Sequence, residues 1–200
     1  MIRNMLFDMG NVLMRFAPEV FVGRLGLGED DARLLKNTVY GGVDWVRLDR
    51  GAISEEELLR RVRARLPARL HTAAETLIRR WDDPPLSVEG MEALAGELSE
   101  KGYGLFLLTN AGPRHREYWP KYPAARFVPE ERVFRSADYQ LLKPESAFYT
   151  AALERFGLAA GECLFIDDNA VNCEAAARLG IGTVVFHGAD DLRRELKARL

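Results

Sequence analysis

The chain has 200 residues, 48% hydrophobic and 29% charged, a balance that supports one globular domain or one domain carrying an insertion. A formal net charge of -2 argues against sequence-independent nucleic-acid binding, which needs a basic surface. The two cysteines form no C-x-x-C pair, and there is no long apolar leader or spanning run; a disulfide framework, a zinc site and a membrane anchor are not expected, and a reducing cytoplasm is.

Residues 3–7 read as a buried strand that ends on Asp8, with Gly10 opening a tight turn. From residue 17 to about 81 the pattern is helical only. Residues 18–25 form a short helix stopped by Gly26 and Gly28, and Glu29–Val39 form a second with acidic residues in its first turn, where they complement the dipole. Ser54 and Glu57 make a capping box for a third helix running to about Leu66, with Leu58, Leu59, Val62 and Leu66 on its apolar face. Thr72 and Glu75 repeat the box for a fourth, and Pro84-Pro85 breaks the chain. Helices and strands then alternate. Residues 88–101 are a helix capped by Ser87, 103–108 a strand leading into Thr109-Asn110, and Val133–Arg135 a short strand. Residues 144–156 are a helix stopped by Gly157, 163–166 a strand leading into Asp167-Asp168, 170–179 a helix, 183–186 the last strand, and 191–199 the last helix.

That alternation predicts an α/β fold, a doubly wound, Rossmann-like parallel sheet. The first strand must join the sheet across the helical stretch. Residues 1–14 and 86–200 are therefore expected to form one core, and 15–85 an inserted α-helical cap. The glycines at 23, 26 and 28 follow a helix rather than a strand, so they are not a dinucleotide fingerprint.

In a parallel sheet the carboxyl ends of the strands share one edge. Asp8, Thr109-Asn110 and Asp167-Asp168 then converge on one crevice, with Lys143 arriving from the start of a helix. Carboxylates held that close repel unless a cation lies among them, and hard oxygen ligands favour Mg²⁺ with a phosphate completing its shell. Lys143 and the Thr109 hydroxyl suit phosphate oxygens. Taken singly, Asp168 also fits a helix cap and Lys143 a solvated surface group; the joint pattern is what points to a site.

Over its full length the chain resembles the haloacid dehalogenase superfamily. The motifs stand in order: Phe7-Asp8-Met9-Gly10-Asn11-Val12, Leu108-Thr109-Asn110, Lys143-Pro144-Glu145, and Phe165-Ile166-Asp167-Asp168-Asn169. The insert after the first motif resembles that superfamily's small helical cap. Arg50-Gly51-Ala52-Ile53-Ser54 and Tyr118-Trp119-Pro120 look like its branch of sugar-phosphate phosphatases, including glucose-1-phosphate phosphatases; the phosphatase domain of soluble epoxide hydrolase is a more distant likeness. The resemblance implies a Mg²⁺-dependent phosphatase acting on a small phosphorylated metabolite, as a monomer or homodimer. It implies Asp8 as the nucleophile, Thr109 and the Asn110 backbone holding the phosphoryl group, and Lys143 neutralising charge. It implies a metal held by Asp8, the Gly10 carbonyl, Asp167 and Asp168. Asn172, where relatives often carry an aspartate, is expected behind the site or on the helix surface.

One departure is Gly10, where most phosphatases of the superfamily have an acid–base aspartate. Either another group or water does that work, or the leaving group needs little protonation; glycine could also serve a backbone with positive φ. Tyr40, Trp45 and Arg47 lie between the expected helices of the insert and could reach the crevice. Arg60, Arg61, Arg63 and Arg65 read as a solvated face, with Glu56 and Glu57 pairing to Arg60 and Arg61. His71, His115 and His187 form no ligand set, and His115 is expected at the surface. Two other readings stay open: a metal-free 2-haloacid dehalogenase using the same Asp8, and a non-catalytic binder of phosphorylated ligands.

Overall fold

The computed structural model describes residues 1–200. Strand β1 (Asn4–Phe7) is followed by helices α1 (Pro18–Gly23), α2 (Glu29–Val39), α3 (Val43–Asp49), α4 (Glu55–Arg65) and α5 (His71–Arg80). Then come α6 (Met91–Glu100), β2 (Gly104–Thr109), α7 (His115–Tyr118), β3 (Val133–Arg135) and α8 (Ser136–Tyr139). The chain closes with α9 (Ser146–Phe156), β4 (Cys163–Asp167), α10 (Ala170–Ala177), β5 (Gly182–Val185) and α11 (Ala189–Arg199). No helix is long and apolar enough to cross a membrane.

All five strands are parallel, in the order β3-β2-β1-β4-β5. Their near-continuous apolar runs are what a sheet covered on both faces requires. Alternate residues serve opposite faces. Met5, Phe7, Leu105, Leu107, Leu164 and Ile166 join the larger apolar cluster with α6 and α11. Leu6, Phe106, Leu108, Phe134 and Phe165 join the smaller one with Phe148, Tyr149 and Ala152 of α9 and Ala175 and Ala176 of α10. Both cysteines are free and buried.

The helical stretch leaves and re-enters the core through one doorway. The Arg15 N–H donates to the Leu86 carbonyl at 2.7 Å, and the Val88 N–H to the Leu13 carbonyl at 3.3 Å. The larger apolar cluster runs from the sheet through Leu13 and Met14 into Phe21, Leu35, Leu58 and Leu77 without a break.

Several local expectations give way. Ser54 caps α4 as expected, accepting from the Glu57 N–H at 3.2 Å, but Thr72 lies inside α5, which has no side-chain cap. Ser87 does not cap α6 either; Gly90, at φ 78°, takes that position. Residues 43–49, expected between helices, are helix α3. The basic face of α4 is not simply solvated: Arg61 and Arg65, with Arg47 of α3, converge on the buried Asp44 at 2.8–3.0 Å. Both Arg60 and Arg61 pair with Glu57, and Glu56 turns to Arg79 instead.

Candidate active site

The register decides which residues meet. Phe7 lies beside Leu107 on one side and Ile166 on the other, so the next residues along each strand crowd the central carboxyl edge. The chain crosses here from the β2 side of β1 to the β4 side, the switch point at which open α/β sheets form a crevice. The Asp8 N–H donates to the Ile166 carbonyl at 2.8 Å, which extends β1 by one bond and fixes Asp8 on that edge. Thr109 ends β2 and Asp167 ends β4, both buried.

Lys143 enters between α8 and α9. Its Nζ sits 2.7 Å from Asp8 Oδ1 and 2.7 Å from Asp167 Oδ2. Asn110 sets that position: its Oδ1 accepts from the Lys143 N–H at 2.9 Å and its Nδ2 donates to the Lys143 carbonyl at 3.0 Å. Asp167 is fully engaged. Its Oδ1 accepts from the Asn169 N–H at 2.8 Å, and Asn172 Nδ2 donates to both oxygens at 3.0 and 3.1 Å. Asp168 is exposed, and Asn11 Nδ2 reaches its Oδ2 at 3.1 Å. Asn11 holds φ 55° and also accepts the Phe16 N–H at 3.1 Å, so the turn after Asp8 is locked by its side chain.

Burial dominates the electrostatics. It pushes the Asp8 carboxyl up to about 7; Lys143 opposes the rise and Asp167 adds to it. Burial also works against the Lys143 ammonium, but Asp8 and Asp167 outweigh it and hold its proton more firmly than usual. One ammonium among three carboxylates leaves an excess of negative charge. Asp8, Asp167 and Asp168 each offer an oxygen, all within 4.8 Å of one another. The Gly10 carbonyl accepts no backbone hydrogen bond. An all-oxygen donor set with uncompensated charge fits a hard divalent cation such as Mg²⁺.

Above this floor lies a cavity of about 250 Å³. Asp8, Gly10, Thr109, Asn110, Lys143 and Asp168 form its polar side; Phe16, Trp45, Trp81 and Tyr118 form an aromatic wall. Phe16 is the hub of that wall, with ring centroids 5.4 Å from Trp81, 5.6 Å from Tyr40 and 5.9 Å from Trp45.

Of the three insert residues expected near the crevice, Trp45 lines it. Tyr40 stands behind Trp45, its hydroxyl donating to the Leu77 carbonyl at 3.0 Å, and Arg47 turns away to Asp44. Asn172 is buried and braces Asp167. His115 is not at the surface. It is wholly buried and outside the cavity, between Met9 Sδ at 3.1 Å and Arg135 Nη2 at 3.1 Å. Arg135 donates to Nδ1, which leaves the proton on Nε2; burial, with Arg135 and Arg116, holds the ring neutral. Nor does Gly10 have a positive φ; that conformation belongs to Asn11. Asp49 was not anticipated. It lines the cavity from the end of α3, a helix whose apolar Val43 and Val46 face outward and so give no inward stripe to read. The signals available were Asp44 in its first turn and the Asp44–Arg47 spacing.

A model of haloacid dehalogenase-like hydrolases matches residues 2–180. A sesquiterpene phosphatase of Aspergillus oryzae is 27% identical over 199 residues, covering 97% of this chain and 93% of that protein. A drimenol cyclase of Aspergillus calidoustus is 25% identical over 209 residues, covering 98% of this chain but 36% of that protein. A flavin mononucleotide hydrolase of Arabidopsis thaliana is 25% identical over 155 residues, covering 76% of this chain and 60% of that protein. Thus the chain spans about a third of the cyclase and three fifths of the flavin hydrolase. Among solved structures, a family enzyme of Bacteroides thetaiotaomicron in complex with magnesium and inorganic phosphate superposes with a TM-score of 0.68 at 23% identity, over 94% of this chain and 96% of that one. At that identity the likeness is one of fold.

Proposed function

The chain belongs to the haloacid dehalogenase-like hydrolases, and from that membership we propose that it is a Mg²⁺-dependent phosphomonoesterase that works through an aspartyl-phosphate on Asp8. The observation that carries this reading is Lys143 Nζ, held 2.7 Å from both Asp8 and Asp167, with the Asp168 carboxylate beside them on the floor of a cavity. Phosphoryl transfer asks a protein chiefly for positioning and for charge stabilisation. This floor supplies both.

In the proposed reaction Asp8 attacks phosphorus. The Thr109 hydroxyl and the Lys143 ammonium take up charge on the phosphoryl oxygens, and Asn110 keeps Lys143 in place. Asp8, Asp168 and the Gly10 carbonyl, backed by Asp167, would hold Mg²⁺, which supplies the positive charge that lets a phosphate dianion approach a carboxylate. Asp167 already accepts from Lys143, Asn169 and Asn172, so its main work is to orient Lys143 and to add negative charge. Residues 15–85 act as a cap that closes the site and excludes water. The aromatic wall suits a small leaving group with a ring or apolar face, a description that includes sugar phosphates. The sesquiterpene phosphatase, matched over nearly its whole length, supports phosphate-ester chemistry over dehalogenation, as does the third carboxylate, which displacement of a halide does not need.

The test is phosphate release from p-nitrophenyl phosphate. Turnover is expected with Mg²⁺, and excess chelator should abolish it. Asp8→Asn preserves shape and the contact to Lys143, and should lower turnover by ~10⁴-fold or more. Full activity in chelator, or chloride release from 2-chloropropionate without any phosphatase activity, would contradict the proposal.

A further inference from the structure

The site has lost the carboxylic acid expected two residues after the nucleophile, and nothing steric forbids it. A Cβ on Gly10 would meet only Asp8 Oδ2, at 3.9 Å, and the backbone there is not left-handed. The acid–base work has either been given up or moved. We propose that it has moved to Asp49, which lines the same cavity and there protonates the leaving oxygen and then deprotonates the attacking water. This assignment rests on the phosphatase reading above.

Three observations carry it. The first is place: Asp49 lines the same cavity as Asp8 and Gly10, but from the insert rather than the floor. The second is that no cation neutralises it. The other enclosed carboxylates of the insert are paired, Asp44 with three arginines, Asp82 with Arg114 and Lys121, and Glu55 with Arg114. Asp49 has no ion pair, and the nearby Gly112 N–H is the one group that favours its charge. The residue is half-buried on the cavity wall. Burial pushes the carboxyl well above the usual carboxylate range, with Gly112 opposing the rise, and so favours the protonated form that an acid needs. The other titratable groups lining the cavity are Tyr118, Asp8, Lys143 and Asp168; Arg114 is committed to Asp82 and Glu55, and His115 is neutral.

The third observation is rigidity. Ser136 Oγ donates to the Asp49 carbonyl at 2.5 Å and accepts the Ala111 N–H at 2.9 Å, tying the end of α3 to the segment that carries Thr109. Arg50 pairs with Glu145 and donates to the Gln140 carbonyl at 2.9 Å. Gly51, at φ +75°, packs so close to α8 that a Cβ would lie 2.5 Å from the Ala137 carbonyl oxygen. Three successive residues are thus stapled to the core, which is what holds an acid at a fixed distance from a reacting atom.

The chemistry balances. In the first step Asp8 forms a bond to phosphorus, the bond from phosphorus to the leaving oxygen breaks, and that oxygen takes the Asp49 proton. In the second, the Asp49 carboxylate takes a proton from water, the water oxygen bonds to phosphorus, and the bond to Asp8 breaks. Phosphate leaves, Asp8 is a carboxylate again and Asp49 is protonated again.

The test compares wild type and Asp49→Asn on p-nitrophenyl phosphate and on an alkyl phosphate such as glycerol phosphate. The first ester needs no acid to leave, so the variant should show a burst of nitrophenolate followed by a steady rate lowered ~10²-fold, as aspartyl-phosphate waits for a base. On the alkyl ester it should show no burst and a loss of ~10²–10⁴-fold in the first step. Gly10→Asp in the Asp49→Asn background should recover much of the alkyl rate, which separates loss of an acid from damage to the fold. A variant that loses the same factor on both esters without a burst, or loses nothing, overturns the Asp49 assignment alone. A wild type inert towards every ester overturns the phosphatase reading and this assignment with it.

Discussion

Asp8, Lys143 and Asp167 form one electrostatic unit, and its protonation couples stability to pH. Burial, with Asp167, lifts the Asp8 carboxyl from 3.8 to about 7 against the pull of Lys143. Between those values the native state binds a proton that the unfolded chain has released. The metal-free protein therefore has this stabilisation in full below about pH 4 and loses it as pH rises through 7. A divalent cation binds the ionised form and reverses the loss. At about 100-fold above its Kd it contributes roughly 2.7 kcal/mol, about 5–10 °C for a chain of this size. Thermal unfolding with and without Mg²⁺ should show that gain at pH 8 and a much smaller one at pH 5. Equal gains at both would mean that Asp8 is not part of the cation site.

The helices of the insert are held to the core by a few buried charges as well as by packing. Asp82, with a side chain 1% exposed, accepts from Arg114 at 2.7 Å and from Lys121 at 2.6 Å. Burial opposes its charge, and the two cations hold it below the usual carboxylate range even so. Arg114→Ala removes one of them and also frees Glu55, so unfolding should cost about 1–3 kcal/mol less, visible as a lower denaturant midpoint; no change would mean that Lys121 alone suffices.

Helix α2 and strand β3 have the bounds expected from their residues, and α4 begins at its capping box, because those signals are local. Residues 43–49 do not read as a helix because Gly41-Gly42 and two outward valines hide it, and the stripe it does present is the buried Asp44 with its arginines. The strand-end residues were legible because parallel pairing sends every carboxyl end to one edge. Asp49 was not, since its position depends on Ser136, Arg50 and Gly51 docking against residues roughly 90 positions away. The burial of His115 is hidden for the same reason: it comes from Met9 and Arg135, distant in sequence.

At the scale of the molecule, one topology explains the division of labour. The sheet gathers the charged floor at its switch point, and the helical stretch between residues 15 and 86 returns over it with an aromatic wall and, in the proposed reaction, the acid. The apolar cluster that runs unbroken from sheet to insert makes the two halves a single packed body. In the proposed reaction Asp8 attacks phosphorus and water then attacks the same atom. A single turnover in heavy-oxygen water tests it most directly, with the released phosphate and the Asp8 peptide both analysed by mass spectrometry. The label is expected in phosphate, with none in Asp8. Label in the Asp8 carboxylate, the mark of an ester opened at its acyl carbon as in dehalogenation, would contradict it.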